Sequence, residues 1–125
     1  MPEKWNVTEA EMKILLRLWD RNPQTMMELT RALEAETHWS KYTVITLLKR
    51  MEAKGTVRVD ESGSVKNYSP AVDKASFARE ETNSLVRNLY GGSAALLVQG
   101  LVEQGNISNA ELDELFAILR NAANK

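Results

Sequence analysis

The stretch Trp39-Ser40-Lys41-Tyr42-Thr43-Val44-Ile45-Thr46-Leu47-Leu48-Lys49-Arg50-Met51 constrains the fold more than any other part of this 125-residue chain. Val44, Leu47, Leu48 and Met51 recur at i, i+3, i+4 and i+7, the spacing of one buried stripe on a helix. Ser40 stands where an N-cap hydroxyl can accept an otherwise unpaired amide proton. Lys41, Tyr42, Thr43, Ile45, Thr46, Lys49 and Arg50 therefore fall on the remaining faces. Cations for phosphates, hydroxyls for phosphates or base edges, and an apolar group able to touch a thymine methyl are what a helix needs in a DNA major groove. A solvated helix of an ordinary domain carries a similar mixture, so this helix alone leaves both readings open.

The residues that follow separate them. Lys54-Gly55 ends the helix with a cation at the negative end of its dipole and a glycine at the left-handed C′ position. Thr56-Val57-Arg58-Val59-Asp60 alternates as a strand does, Glu61-Ser62-Gly63-Ser64 supplies a turn, and Val65-Lys66-Asn67-Tyr68-Ser69 alternates again before Pro70. A helix-turn-helix whose second helix runs into a two-stranded hairpin has the element order of a winged helix.

Upstream, two helices announce their starts with Ser or Thr followed three residues later by Glu, the pattern of a reciprocal capping box: Thr8 with Glu11, and Thr25 with Glu28. The first, Thr8 to about Asp20, is expected to bury Met12, Leu15, Leu16 and Trp19. The second, Thr25 to about Ala35, is expected to bury Met26, Leu29 and Leu33, and Asn22-Pro23 separates the two. With the third helix and the hairpin they form a winged-helix DNA-binding domain over residues 1–71.

Residues 72–125 read as helical throughout. Asp73 can cap a helix carrying Phe77, Leu85, Val86, Leu89 and Tyr90, ended by Gly91-Gly92. Ser93 can cap the next, with Leu96, Leu97, Leu101 and Val102. After Gly105-Asn106, Ser108 and Glu111 repeat the capping box before Leu112, Leu115, Phe116 and Leu119. About 50 residues in three short helices lie near the lower limit for an independent core. The expected outcome is a helical homodimerisation domain in which Leu97, Leu101, Leu112, Leu115 and Leu119 meet a second copy. Folding of these helices back onto the N-terminal unit of the same chain is the alternative. The expected fold class is thus mainly α with a small β-hairpin, a winged helix-turn-helix followed by a three-helix module.

Charge and composition narrow the function. The net charge is −1, yet between Ser40 and Tyr68 six cations (Lys41, Lys49, Arg50, Lys54, Arg58, Lys66) face Glu52, Asp60 and Glu61, a local balance of +3 on a chain that is −4 elsewhere. A basic unit on an acidic molecule favours a DNA contact confined to that unit. There is no cysteine and a single histidine, His38. Disulfides, thiolate metal sites and cysteine nucleophiles are excluded, and His38 beside Trp39 reads as a loop or packing residue rather than a general base. Glu111, Asp113 and Glu114 suit the first turn of a helix better than a metal site. Gly91-Gly92-Ser93 lacks the lysine and preceding strand of a phosphate-binding loop. No catalytic, cofactor-binding or metal residue is expected. No apolar run approaches the roughly 18 residues of a membrane span, and Met1-Pro2-Glu3-Lys4-Trp5 lacks the apolar core of a signal peptide, so the expected location is the cytoplasm.

On these residues the chain resembles the penicillinase repressor family, the BlaI and MecI type of bacterial winged-helix regulators. Thr8-Glu9-Ala10-Glu11 with Leu18-Trp19, Trp39-Ser40 and Thr43 with Thr46-Leu47-Leu48 and Arg50, Lys54-Gly55, and Tyr68-Ser69-Pro70 carry the likeness in the first half. Leu89-Tyr90-Gly91-Gly92-Ser93, Leu101-Val102-Glu103, and Ile107-Ser108 before Glu111-Leu112-Asp113-Glu114-Leu115 carry it in the second. The resemblance implies a homodimeric repressor of a palindromic operator, paired through its C-terminal helices and released when a β-lactam-activated membrane sensor causes its cleavage. Released members are cut between asparagine and phenylalanine, where this chain aligns Gly100-Leu101. Copper-responsive relatives carry C-terminal cysteines that this chain lacks. Neither inducing signal carries over, and the upstream sensor or inducer stays unassigned. After Trp-Ser the family's usual proline and lysine are Lys41 and Tyr42 here, and Ile45 stands where a polar or basic residue is common.

The roles that follow place Thr43 and Thr46 in the groove and Lys41, Tyr42 and Ile45 at its edges. Ser40, Lys49, Arg50 and Lys54 go to phosphates, and Arg58 and Lys66 to the wing. The rival is a winged-helix protein-interaction module in which Tyr42 and Ile45 form a hot spot for a protein partner.

Overall fold

The computed structural model describes residues 5–124. Residues 1–4, on which the expectation about an N-terminal signal rests, and residue 125 lie outside the described residues. The elements run α1 (Glu9–Asp20), β1 (Gln24–Thr25), α2 (Met26–Thr37), α3 (Lys41–Lys54), β2 (Val57–Asp60), β3 (Asn67–Pro70), α4 (Lys74–Leu89), α5 (Ala94–Glu103) and α6 (Asn109–Ala123). Capping determines where the helices begin. Thr8, Thr25 and Ser108 each accept the amide proton of the glutamate three residues on, and each glutamate carboxylate accepts in return from the cap amide. Ser40 caps α3 by accepting from the Thr43 amide at 3.3 Å, and Gly55 ends it with φ +82°.

The chain divides into two compact units, Met1–Glu81 and Thr82–Lys125. In the first, Ile14, Leu15 and Leu18 of α1, Leu29 and Leu33 of α2, and Val44, Leu47, Leu48 and Met51 of α3 form one buried cluster with Val57, Tyr68, Val72 and Phe77. The stripe on α1 is rotated from the expected one. Leu16 is 47% exposed, and Glu11 occupies the buried i−3 position before Ile14. Met12, Trp19 and Met26 are half-buried at the margin of the cluster.

Two features of this unit differ from the expectation. A third strand is present: β1 pairs antiparallel with β3, Gln24 opposite Tyr68, giving the sheet order β1-β3-β2. Gln24 is buried because its amide is used, Nε2 donating to the carbonyls of Arg17 and Arg21 at 3.0 and 2.7 Å. The hairpin strands are also shorter than their alternation suggests. Arg58 pairs with Ser69 and Asp60 with Asn67, which leaves 61–66, including Val65 and Lys66, as the wing loop. The Asp60 carboxylate starts that loop by accepting from the amide and hydroxyl of Ser62, a local turn that competes with further pairing.

The first unit also reaches past residue 71. Val72 accepts a hydrogen bond from Trp19 Nε1 at 2.9 Å, and Phe77, 4% exposed, packs against Trp5 and Trp19 with ring centroids 5.8 and 5.5 Å apart. The early turns of α4, grouped in sequence with the C-terminal helices, thus complete the N-terminal core.

The second unit lacks such a core. Among the described residues, no apolar side chain after Phe77 is buried. Leu89, Phe116, Ile118 and Leu119 are each at least 60% exposed. Two left-handed glycines, Gly91 at φ +57° and Gly92 at φ +86°, separate α4 from α5, with the Gly92 amide donating to the Val86 carbonyl at 2.9 Å.

Candidate nucleic-acid interface

α3 has the two faces its sequence implies. Val44, Leu47, Leu48 and Met51 are buried, whereas Lys41, Tyr42, Thr43, Thr46, Lys49 and Arg50 are exposed. Tyr42 is 70% exposed, with the Lys41 ammonium 5.3 Å from its ring centroid. Tyr42, Thr43, Thr46, Leu47 and Arg50 line a shallow concavity of about 340 Å³ on this face. Ser40, its hydroxyl accepting from the Thr43 amide, is exposed at the helix start. The helix thus presents cations, hydroxyls and one aromatic ring on a rod whose opposite side is fixed in the core.

Three of the expected contacts fall elsewhere. Ile45 is half-buried against the core and lines a separate cavity of about 520 Å³ with Met26, Met27, Val65 and Tyr68, beneath the wing. Its side chain packs at the margin of the core rather than standing free at a groove edge, and it does not share one open concavity with Tyr42. Lys54 turns inward. Its ammonium donates to both Glu11 carboxylate oxygens, at 2.9 and 3.2 Å, and to the Asn6 carbonyl at 2.8 Å. Arg58 lies toward the base of the hairpin, around a concavity of about 440 Å³ with Trp19 and residues 70–74, and not with the α3 residues. Of the two expected wing cations, Lys66 sits in the wing loop, where Glu61 pairs with it at 3.2 Å and raises its pKa. That pair is exposed, so Lys66 can exchange Glu61 for a phosphate at little cost.

Lys54 is explained by its partner. Burial alone would raise the Glu11 pKa. The hydrogen bonds from Lys54 and the Thr8 amide, together with the Lys54 charge, outweigh it and hold the carboxyl below its ordinary value. One carboxylate therefore caps α1 and anchors the last turn of α3. No single sequence signal announces this, because the capping box fully explains a glutamate at position 11.

His38 is exposed at the left-handed C-cap of α2, φ +56°, with its ring nitrogen 3.9 Å from Glu34. Among the described residues no group of histidine, cysteine, aspartate and glutamate could hold a metal ion, and no helix is long and apolar enough to cross a membrane. In the second unit Leu101 and Leu115 line a groove of about 300 Å³ with Ile107 and Ile118. Leu97 and Leu112 are half-buried, and Leu119 is 62% exposed.

Comparison with known proteins agrees with this architecture. The profile of the penicillinase repressor family matches residues 7–121. The penicillinase repressor of Bacillus licheniformis is 25% identical over 119 residues, covering 95% of this chain and 93% of that protein. The methicillin resistance regulatory protein MecI of Staphylococcus aureus is 22% identical over 121 residues, covering 97% and 95%. Among solved structures, the DNA-binding domain of the repressor BlaI superposes with a TM-score of 0.52 at 25% identity, over 60% of this chain and 92% of that one. The transcription regulator MepR of S. aureus superposes with a TM-score of 0.53 over 97% of this chain and 81% of its own, at 18% identity, a likeness of fold. With its winged helix-turn-helix, its three C-terminal helices and a family match spanning nearly its whole length, the chain belongs to the penicillinase repressor family of transcriptional regulators.

Proposed function

We propose that this protein is a homodimeric bacterial transcriptional repressor, cytoplasmic, that binds a palindromic operator by placing α3 in the major groove. The observation that carries the reading is the exposed face of α3, which presents Lys41, Tyr42, Thr43, Thr46, Lys49 and Arg50 around and beside a shallow concavity lined by Tyr42, Thr43, Thr46, Leu47 and Arg50, while the opposite stripe is buried in the core. A relative supports it: B. licheniformis BlaI, 26% identical over 56% of this chain with a TM-score of 0.50, has been solved as a monomer in complex with the blaP half-operator. Ser40, Lys41, Lys49 and Arg50 take phosphates, Lys66 takes a phosphate from the wing, and Thr43 and Thr46 face the bases. Lys54, tied to Glu11, and Ile45, packed at the margin of the core, hold the reading unit in shape.

The second copy is supported by the apolar side chains of α5 and α6, which have no core of their own. Leu97, Leu101, Leu112, Leu115 and Leu119 belong to that interface. A twofold dimer places two α3 helices on two half-sites, so the operator repeats with inverted symmetry about one helical turn, or a multiple of it, apart. Selection of bound fragments from genomic DNA, followed by footprinting, tests this. Recovery of inverted repeats with that spacing supports it, and recovery of unrelated sequences in proportion to input refutes it.

A further inference from the structure

Thr43 and Thr46 look interchangeable in sequence, two hydroxyls on the exposed face of one helix, but their hydroxyls are engaged differently. Thr46 Oγ1 donates its proton to the carbonyl of Tyr42, one turn back, at 2.8 Å. Thr30 and Thr37 in α2 make the same bond to the carbonyls of Met26 and Leu33, each at 2.8 Å. This is the ordinary choice of a threonine inside a helix, where the carbonyl four residues back points at it. Thr43 sits at the third position of α3, so the residue four back, Trp39, precedes the helix and offers no aligned carbonyl. Among the described residues its hydroxyl meets only Ser40 Oγ, at 3.5 Å.

A hydroxyl has one proton. With that proton held by the Tyr42 carbonyl, Thr46 offers a base its γ-methyl and a remaining oxygen lone pair. Donating to a base edge would break one hydrogen bond to make another, with no net gain, whereas a methyl contact needs no rearrangement. The surroundings suit such a contact, since the ring of Tyr42 and the side chain of Leu47 line the same concavity as Thr46. In the major groove the one apolar group among the base edges is the C5-methyl of thymine. Ile45, the residue whose sequence position suggested a methyl contact, is half-buried against the core and lines a different cavity.

We propose that Thr46 recognises a thymine through its γ-methyl, and that Thr43 supplies the hydrogen-bonding hydroxyl. The inference rests on the reading of α3 as the DNA-binding helix. The test uses the full chain, the duplex it selects from a random-sequence pool, and copies of that duplex in which each thymine of a half-site is replaced in turn by deoxyuridine, which lacks only the methyl. At one position the wild type should lose about fourfold in affinity per half-site, the worth of one buried methyl-sized group. Thr46→Val, which keeps the methyl and loses the hydroxyl, should retain both affinity and that discrimination. Thr46→Ser, which does the opposite, should bind the thymine and deoxyuridine duplexes alike. Discrimination kept by Thr46→Ser and lost by Thr46→Val would overturn the inference, as would a half-site in which no thymine-to-deoxyuridine change alters binding. Both of those results leave DNA binding intact; a chain that binds no duplex overturns the reading of α3 itself.

Discussion

The carboxylate of Glu11, fully buried at the start of α1, accepts from the ammonium of Lys54 at the end of α3, at 2.9 and 3.2 Å. The pair ties the two helices that carry most of the N-terminal core, and it is asymmetric, because the Lys54 side chain retains 26% exposure and that of Glu11 none. Removing the lysine strands a buried charge. Removing the carboxylate leaves a cation that can turn to water.

Lys54→Met should therefore cost about 3 kcal/mol of stability, and Glu11→Gln, which keeps the capping geometry, roughly 1 kcal/mol. The pH dependence follows from the depressed Glu11 pKa. The contribution is fully present above the ordinary glutamate value of 4.5 and is lost as pH falls through the lower folded value. Urea titrations of both variants between pH 3 and 7 check this; equal losses at pH 7 would contradict the asymmetry.

Phe77 closes the N-terminal core against Trp5 and Trp19, and Val72 accepts from Trp19. A fragment ending at residue 81 should unfold as one cooperative unit, and one ending at residue 71 should be weaker by about 3–5 kcal/mol, the range for losing a buried aromatic. For a unit of this size that lowers the melting temperature by roughly 12–40 °C. Calorimetry of the two fragments distinguishes this from a core complete at Pro70, for which the two would melt together.

Leu115 lines the groove between α5 and α6. Leu115→Asp should give monomers whose N-terminal unit still melts cooperatively, because a carboxylate in an apolar interface is avoided most cheaply by dissociation. Operator affinity should fall with it, since two half-sites are then no longer held as one ligand. Sedimentation as an intact dimer would remove Leu115 from the interface.

Release from DNA should not follow the family's cleavage route. The aligned bond, Gly100-Leu101, has no polar side chain on one side and no aromatic ring on the other. It also lies within α5, where the Gly100 carbonyl accepts from the Gln104 amide at 3.2 Å. Losing pocket recognition commonly slows a protease by orders of magnitude, and a helical bond must open before it can be cut. Mass analysis of the chain co-expressed with a family sensor and exposed to a β-lactam should show no fragment ending at Gly100; that fragment would contradict this expectation.

Local signals in the sequence carried over well to the structure. Ser or Thr with Glu three residues on marks three helix starts, and the stripe from Val44 to Met51 is buried as its spacing predicts. Features that depend on distant partners did not. β1 is two residues long and exists because β3 offers a free edge to Gln24 and Thr25. Glu11 has a sufficient local role in its capping box, which hid its pairing with a lysine 43 positions away. Ile45 falls off the buried stripe by helical geometry, yet it is half-buried against the core and lines a cavity with the wing residues Val65 and Lys66. Arg58 and Lys66 alternate alike along the hairpin, but strand register puts one toward the base and the other in the loop. Net charge over a segment counted Lys54 as available, although its charge is spent inside the domain.

The central claim, that the exposed face of α3 and the wing bind DNA, is tested most directly by the salt dependence of binding to the selected operator. Lys41, Lys49, Arg50 and Lys66 from each of two protomers would neutralise up to about eight phosphates, so the slope of log K against log salt should approach about −7 and become shallower by roughly two in a Lys49→Ala dimer. Binding that is insensitive to salt, or a slope unchanged by Lys49→Ala, would contradict it.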